Sequence, residues 1–72
     1  MSSHVAHYRA VVRRCRKRIP EWSAEKCRDQ AAASHRVADI AAFMGDDEPT
    51  SSLMHDFARE LEDAAKQKEA TK

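Results

Sequence analysis

The scarcity of helix-breaking residues constrains the fold of this chain more than any other feature. Its 72 residues include one glycine, Gly45, and two prolines, Pro20 and Pro49. No alternating, β-branched run bounded by turn residues occurs, so strands are not expected. Between the three breakers, apolar residues recur at spacings of three and four, which is typical of amphipathic helices. The sequence therefore predicts an all-α fold, a small three-helix bundle formed by one domain over residues 1–72.

The first helix is predicted over residues 3–18. Ser2 or Ser3 can cap its first turn with a side-chain oxygen. Pro20 lacks an amide donor and restricts the residue before it, so the helix is expected to end ahead of it. One stripe carries the apolar side chains, namely Val5, Tyr8, Val12, Cys15 and Ile19.

The second helix is predicted over residues 24–44, with Ser23 as its N-cap and Gly45 as a left-handed residue at its C-terminal end. It carries two apolar stripes. The bulky stripe consists of Ala33, Val37, Ile40 and Met44, and the small stripe consists of Cys27, Ala31, Ser34, Ala38 and Ala41. Two stripes indicate two packing partners. Because the core is thin, a homodimer is expected, with oligomer contacts at Ala31, Ala38 and Phe43.

The third helix is predicted over residues 52–66, after a loop over 46–50 and a cap at Ser51 or Ser52. Its apolar face consists of Leu53, Met54, Phe57, Ala58, Leu61, Ala64 and Ala65. Residues 1–2 and 67–72 are expected to be frayed. Short connections favour an up-down-up bundle. An alternative is a hairpin of the first two helices that pairs with a second copy, with the third helix crossing over to cover the partner.

Charge is distributed unevenly along the chain. Residues 1–36 hold nine Lys or Arg residues and three acids, whereas residues 37–72 hold four and nine, although the whole chain carries only +1. Six of the ten residues 9–18 are cationic. Such asymmetry bears on partners and association and not on fold.

The arginine-rich first helix is the predicted binding surface, formed by Arg9, Arg13, Arg14, Arg16, Lys17 and Arg18 together with Val11. Guanidinium groups bind carboxylates and phosphates through two hydrogen bonds at once. The favoured function is a small non-enzymatic regulator, adaptor or inhibitor that binds an acidic surface on another protein. The first alternative is a nucleic-acid-binding protein that contacts phosphates, although no aromatics alternate with the basic residues for base stacking. The second is a structural oligomerisation module.

Enzymatic and metal-dependent chemistry are not expected. His4 and His7 lie one turn apart and Cys15 two turns further on, but no closely spaced Cys/His quartet occurs. Cys15 and Cys27 fall on apolar stripes, and the chain has no glycine-rich phosphate loop or paired carboxylates that would indicate catalysis. Neither a cofactor nor a metal is predicted.

The compartment is predicted to be the cytoplasm. The N-terminal residues lack the apolar core of a secretory signal, and no run of about 20 apolar residues could cross a membrane. Two cysteines in such a chain favour free thiols, and a disulfide between Cys15 and Cys27 across a turn is the alternative.

Overall fold

The computed structural model describes residues 3–71, and over this range the chain forms three helices. Helix α1 spans Val5–Arg18, a short 3-10 turn spans Ile19–Glu21, α2 spans Ala24–Phe43 and α3 spans Glu48–Ala70. No strand occurs within 3–71. The predicted all-α three-helix bundle is therefore confirmed. The predicted fraying of residues 1–2 and 72, and the cap at Ser2, lie outside the described residues.

The N-terminal ends of α1 and α2 follow their capping residues. Ser23 is the N-cap of α2, and its hydroxyl oxygen accepts a hydrogen bond from the Lys26 amide at 3.1 Å, as predicted. His4 occupies the N-cap position of α1, while the Ser3 hydroxyl accepts from the Val5 amide at 3.2 Å. The α1 helix therefore begins two residues later than predicted.

Helix α3 begins earlier and ends later than the sequence predicts. Asp47 is its N-cap, and Pro49 lies in its first turn. A proline is tolerated there because the first amides of a helix have no intrahelical acceptor. The interpretation of Pro49 as part of a loop, with a cap at Ser51 or Ser52, was therefore wrong. At the other end, residues 67–70 continue the helix.

The turn between α2 and α3 also differs from the prediction at one residue. Gly45 does not have a positive φ; Asp46 does, at 48°. Aspartate tolerates this left-handed conformation better than most residues because its side chain can bond to local backbone. Behind it, the Asp47 amide donates to the carbonyl of Ala41 at 2.8 Å.

The core lies mainly between α2 and α3, which pack along most of their length. The small stripe of α2 is the buried one, with Cys27, Ala31, Ser34 and Ala38 all inaccessible or nearly so. Opposite it, α3 buries Met54, Phe57, Ala58, Leu61 and Ala65. Small residues allow close approach of the two helices, and the larger side chains of α3 fill the volume. The Ser34 hydroxyl is satisfied within this interface because it donates to the Met54 carbonyl at 2.6 Å.

This packing buries two of the predicted oligomer contacts inside the chain. Ala31 and Ala38 are 2% and 0% exposed, covered by α3 of the same chain. Neither presents surface to a second copy in this structure. Of the three predicted contacts, only Phe43 is exposed.

Helix α1 packs chiefly on α3 and contributes one fully buried side chain, Val12. Three others of its predicted stripe, Tyr8, Cys15 and Ile19, are half-buried against the same core. No helix within 3–71 combines the length and the apolar character needed to cross a bilayer.

Candidate functional site

The basic face of α1, defined here as Arg9, Arg13, Arg14, Lys17 and Arg18, is exposed to solvent. None of these five side chains forms an ion pair with another residue of 3–71. Their charges are therefore not neutralised by the acidic C-terminal half of the described chain. Val11, the apolar residue predicted to accompany them, is half-buried.

Arg16 differs from the rest of the predicted binding set. Its Nε donates to a carboxylate oxygen of Glu60 at 2.8 Å, and its guanidinium carbon lies 5.9 Å from the centroid of the Phe57 ring. The hydrogen bond to Glu60 raises the pKa of Arg16 above its ordinary value. Arg16 therefore connects α1 to α3, and we leave it out of the basic face.

A second surface, the apolar patch of Ile40, Phe43 and Met44, lies at the C-terminal end of α2. These side chains are 60%, 85% and 82% exposed. Ile40 and Met44 belong to the bulky stripe, which the sequence assigned to packing. The stripe has no complete partner within the described chain because α3 covers the small stripe and α1 packs chiefly on α3.

A groove of about 280 Å³ runs beside the apolar patch, between the start of α1 and the end of α2. Its apolar lining comes from Tyr8, Val37, Ile40, Ala41 and Met44, and its polar lining includes His4, Asp47 and Thr50. The groove and the patch together form a continuous, mainly apolar surface. Sequence periodicity identified these side chains as apolar but could not show that α1 leaves them open.

The polar end of the groove is organised by the buried carboxylate of Asp47. One of its oxygens accepts from the Ser3 hydroxyl at 2.7 Å. The other accepts from the His4 amide at 2.9 Å and from the Thr50 hydroxyl at 2.7 Å. The backbone bond from His4, followed by the hydroxyl bonds from Ser3 and Thr50, holds the pKa of Asp47 well below its ordinary value. Asp47 therefore connects the start of α1 to the start of α3.

The structure bears on two alternatives raised by the sequence, a metal site that includes His4, His7 and Cys15 and a disulfide between Cys15 and Cys27. No group of three or more His, Cys, Asp or Glu side chains within 3–71 is placed to hold a metal ion. Cys15 is half-buried and Cys27 is buried, and both are free thiols. His35 and His55, which the sequence did not single out, contact each other across α2 and α3 with their Nδ1 atoms 2.8 Å apart. Their separation of 20 residues becomes informative only when the register of the two helices is known.

Comparisons with known proteins identify no relative: no family model matches the sequence, and neither a curated protein nor a solved structure matches significantly. Function must therefore be argued from the two surfaces. The basic face can bind anions, and the apolar patch can bury nonpolar area.

Proposed function

We propose that this protein is a small non-enzymatic regulator, adaptor or inhibitor that binds an acidic surface on another protein through the basic face of α1. The observation that carries the proposal is that five exposed cations on one helix have no carboxylate partner within residues 3–71. Solvated charge is the simplest alternative. Four of the five cations are arginines, however, whose planar guanidinium groups suit paired recognition of carboxylates.

Phosphates of a nucleic acid could satisfy the same cations. The structure offers little for the bases, because Tyr8, the aromatic ring of α1, is half-buried along the groove. Binding to single strands commonly depends on stacking of bases on exposed aromatic rings. We therefore favour an acidic protein surface, with Val11 as an apolar contact beside the cations.

The test compares two variants that lose the same charge. In the first, Arg9, Arg13, Arg14 and Lys17 are replaced by Gln; in the control, Lys26, Arg36, Arg59 and Lys66 are replaced by Gln. Both should keep the helical circular dichroism of the wild type, because all eight side chains are exposed. Each variant and the wild type are then used to capture partners from the native cell, with and without nuclease.

The proposal predicts a captured protein that survives nuclease, is lost with the first variant and is retained with the control. Capture that disappears with nuclease would show that the basic face binds nucleic acid and not an acidic protein surface. Affinity for duplex DNA would then fall with salt at a slope of about −0.9 per phosphate contact. Equal capture by all three proteins would show that the basic face is only a solvated surface.

We also propose that the chain forms a homodimer through the apolar patch. Three large apolar side chains exposed side by side are unusual for a monomer, in which single exposed hydrophobic residues are the norm. The exposed Phe43 is the sequence neighbour of Met44, which lines the groove. A two-fold axis would let Phe43 of each copy enter the groove of the other.

Charge supports a second copy as the occupant. The groove is lined by the start of α1, the helix that carries the basic face, and by Asp47, whose sequence neighbours Asp46 and Glu48 are exposed acids. Charges of opposite sign beside one groove are compatible with a two-fold contact between two copies. The patch is small compared with stable interfaces, which bury roughly 1,200–2,000 Å², so association in the micromolar range is expected.

Analytical ultracentrifugation of Phe43→Ser and Phe43→Leu tests this interface. The serine variant should be monomeric at concentrations where the wild type is dimeric, and the leucine variant should retain most of the association because it keeps an apolar side chain. A wild type that stays monomeric at hundreds of micromolar would refute the homodimer and leave the patch to another partner.

A further inference from the structure

Four side chains form a row across the α2–α3 interface, on a part of the molecule that neither proposed surface uses. The Nδ1 atoms of His35 and His55 lie 2.8 Å apart at its centre. At one end, His55 Nε2 lies 3.4 Å from an oxygen of Asp39; at the other, His35 Nε2 lies 3.5 Å from an oxygen of Glu62. We call these four residues the histidine bridge.

The number of protons in the bridge follows from its geometry. Two nitrogens 2.8 Å apart form a hydrogen bond only if one carries a proton and the other presents a lone pair. Each Nε2 lies 3.4–3.5 Å from a carboxylate oxygen, an ion-pair distance that favours a proton on that nitrogen as well. Three protons are thus shared by four ring nitrogens. Two neutral imidazoles carry only two, so this count corresponds to one positive charge on the pair.

We propose that His35 and His55 form a singly protonated pair with a shared proton, and that this pair is a pH-sensitive connection between α2 and α3. The carboxylates of Asp39 and Glu62 stabilise its charge. The rings are about one-third exposed (36% and 35%), whereas the carboxylates are 47% and 60% exposed, so solvent partly screens these interactions.

The other charged groups near the bridge are largely neutralised. On the α2 side, Arg28 pairs with Glu69 of α3, and both line the groove that contains His35 and Glu62. On the α3 side next to His55, Arg59 and Asp56 pair at 3.6 Å. Lys66 lines the same groove as Glu62 and is the remaining cation there. Asp39 and Glu62 are the carboxylates within ion-pair distance of the two rings among residues 3–71.

A shared metal ion fits the geometry less well than a shared proton. Two nitrogens bound tetrahedrally to zinc at about 2.0–2.1 Å would lie roughly 3.3 Å apart. The observed distance between the two Nδ1 atoms is shorter, and no third ligand joins them within residues 3–71.

The bridge should be strongest in an intermediate pH range. In acid, a second charge adds a fourth proton, both Nδ1 atoms become donors, and two cationic rings repel each other. In base, loss of the only charge leaves one Nε2 without a proton, and its lone pair then faces a carboxylate.

A double-mutant cycle tests the proposal. The thermal midpoints of the wild type, His35→Gln, His55→Gln and the double variant are measured between pH 4 and 9, with His7→Gln as a control for an exposed histidine outside the bridge. Asp47 is present in all four proteins of the cycle, so its own acid titration cancels. We expect the two substitutions to be non-additive near neutral pH and additive at both extremes, and His7→Gln to change nothing.

Nitrogen NMR of the imidazoles gives a second readout. At the pH of strongest coupling, the proposal predicts one charge shared by the two rings. Two neutral rings at that pH, or non-additivity that is constant from pH 4 to 9, would overturn it. So would a rise in thermal midpoint with micromolar Zn²⁺ that both glutamine variants abolish, because that result would assign the site to a metal.

Discussion

The α2–α3 hairpin and α1 are held in the fold in different ways. In the hairpin, small residues of α2 meet large residues of α3. Of the ten buried apolar side chains within residues 3–71, nine belong to these two helices. Helix α1 buries only Val12 completely; Tyr8 and Cys15 are half-buried against the core, and polar contacts at Asp47 and Glu60 add to its attachment. Burial of apolar area is the largest stabilising contribution to a fold. We therefore expect the hairpin to carry most of the stability and α1 to detach more easily.

The largest effect on stability is expected when a side chain is removed from the centre of the hairpin. Leu61 is fully buried. Leu61→Ala should lower the free energy of unfolding by about 2–5 kcal/mol, because it removes apolar contacts and leaves a cavity. Urea denaturation measures the change. Leu53→Ala, at a half-buried position on the same helix, should cost clearly less, and equal losses would contradict the assigned core.

Val12→Ala should loosen α1 and leave the hairpin in place. The loss of two buried methyl groups should cost about 1.5–2.5 kcal/mol. Hydrogen exchange should accelerate in residues 5–18 more than in α2 or α3. Val11→Ala, at the half-buried neighbouring position, is the matched control. Uniform acceleration in all three helices would show that α1 is as integral to the fold as the hairpin.

The next expected effect is at Asp47, whose carboxylate joins α1 to α3. Asp47→Asn should lower the thermal midpoint at pH 7, because an amide can replace only part of the acceptor capacity of a carboxylate. Asp46→Asn removes the same charge from the neighbouring residue and should be nearly neutral, since asparagine also tolerates the positive φ found there.

The pH dependence of this effect has a definite sign. The pKa of Asp47 is lowered in the folded protein, so the carboxylate stabilises the fold above its ordinary pKa of about 3.9. The stabilisation is lost as pH falls below that value toward the folded pKa. The difference in thermal midpoint between wild type and Asp47→Asn should therefore be full at pH 7 and shrink below about pH 4. A difference independent of pH would contradict the hydrogen-bond arrangement.

The smallest expected effect is at the ion pair of Arg16 and Glu60. Both side chains are about half exposed, and such pairs contribute roughly 0.2–1 kcal/mol. A double-mutant cycle with Arg16→Gln and Glu60→Gln should give a coupling in this range that decreases with added salt. A coupling unaffected by salt would assign the attachment of α1 to packing on Phe57.

The sequence predicted the number of helices and the two stripes of α2, because both depend on local spacing. It did not predict which stripe would be buried. Ile40 and Met44 are larger than Ala31 and Ala38, and size alone favours the bulky stripe as core. The structure buries the small one, since close approach of α2 and α3 covers more of both helices. Which stripe is buried depends on how α3 packs, and the apolar pattern of α2 alone cannot show that.

The features of the candidate site also fall into two groups, those predictable from local spacing and those that depend on contacts between distant residues. Exposure of the basic face follows from helical spacing and was predictable. The role of Arg16, the apolar patch and the histidine bridge depend on contacts between residues distant in sequence. The start of α3 was missed for a local reason, because Pro49 can either end a loop or begin a helix.

The contacts of α1 with the rest of the chain also bear on the order in which the helices fold during synthesis. Ser3 and Asp47, like Arg16 and Glu60, are separated by 44 residues. At about 5–20 residues per second, a ribosome needs roughly 2–9 s to add that length. An isolated helix of 14 residues is only marginally stable in water. We therefore expect α1, although it is made first, to complete its folding last, after the hairpin has emerged and offers it a surface.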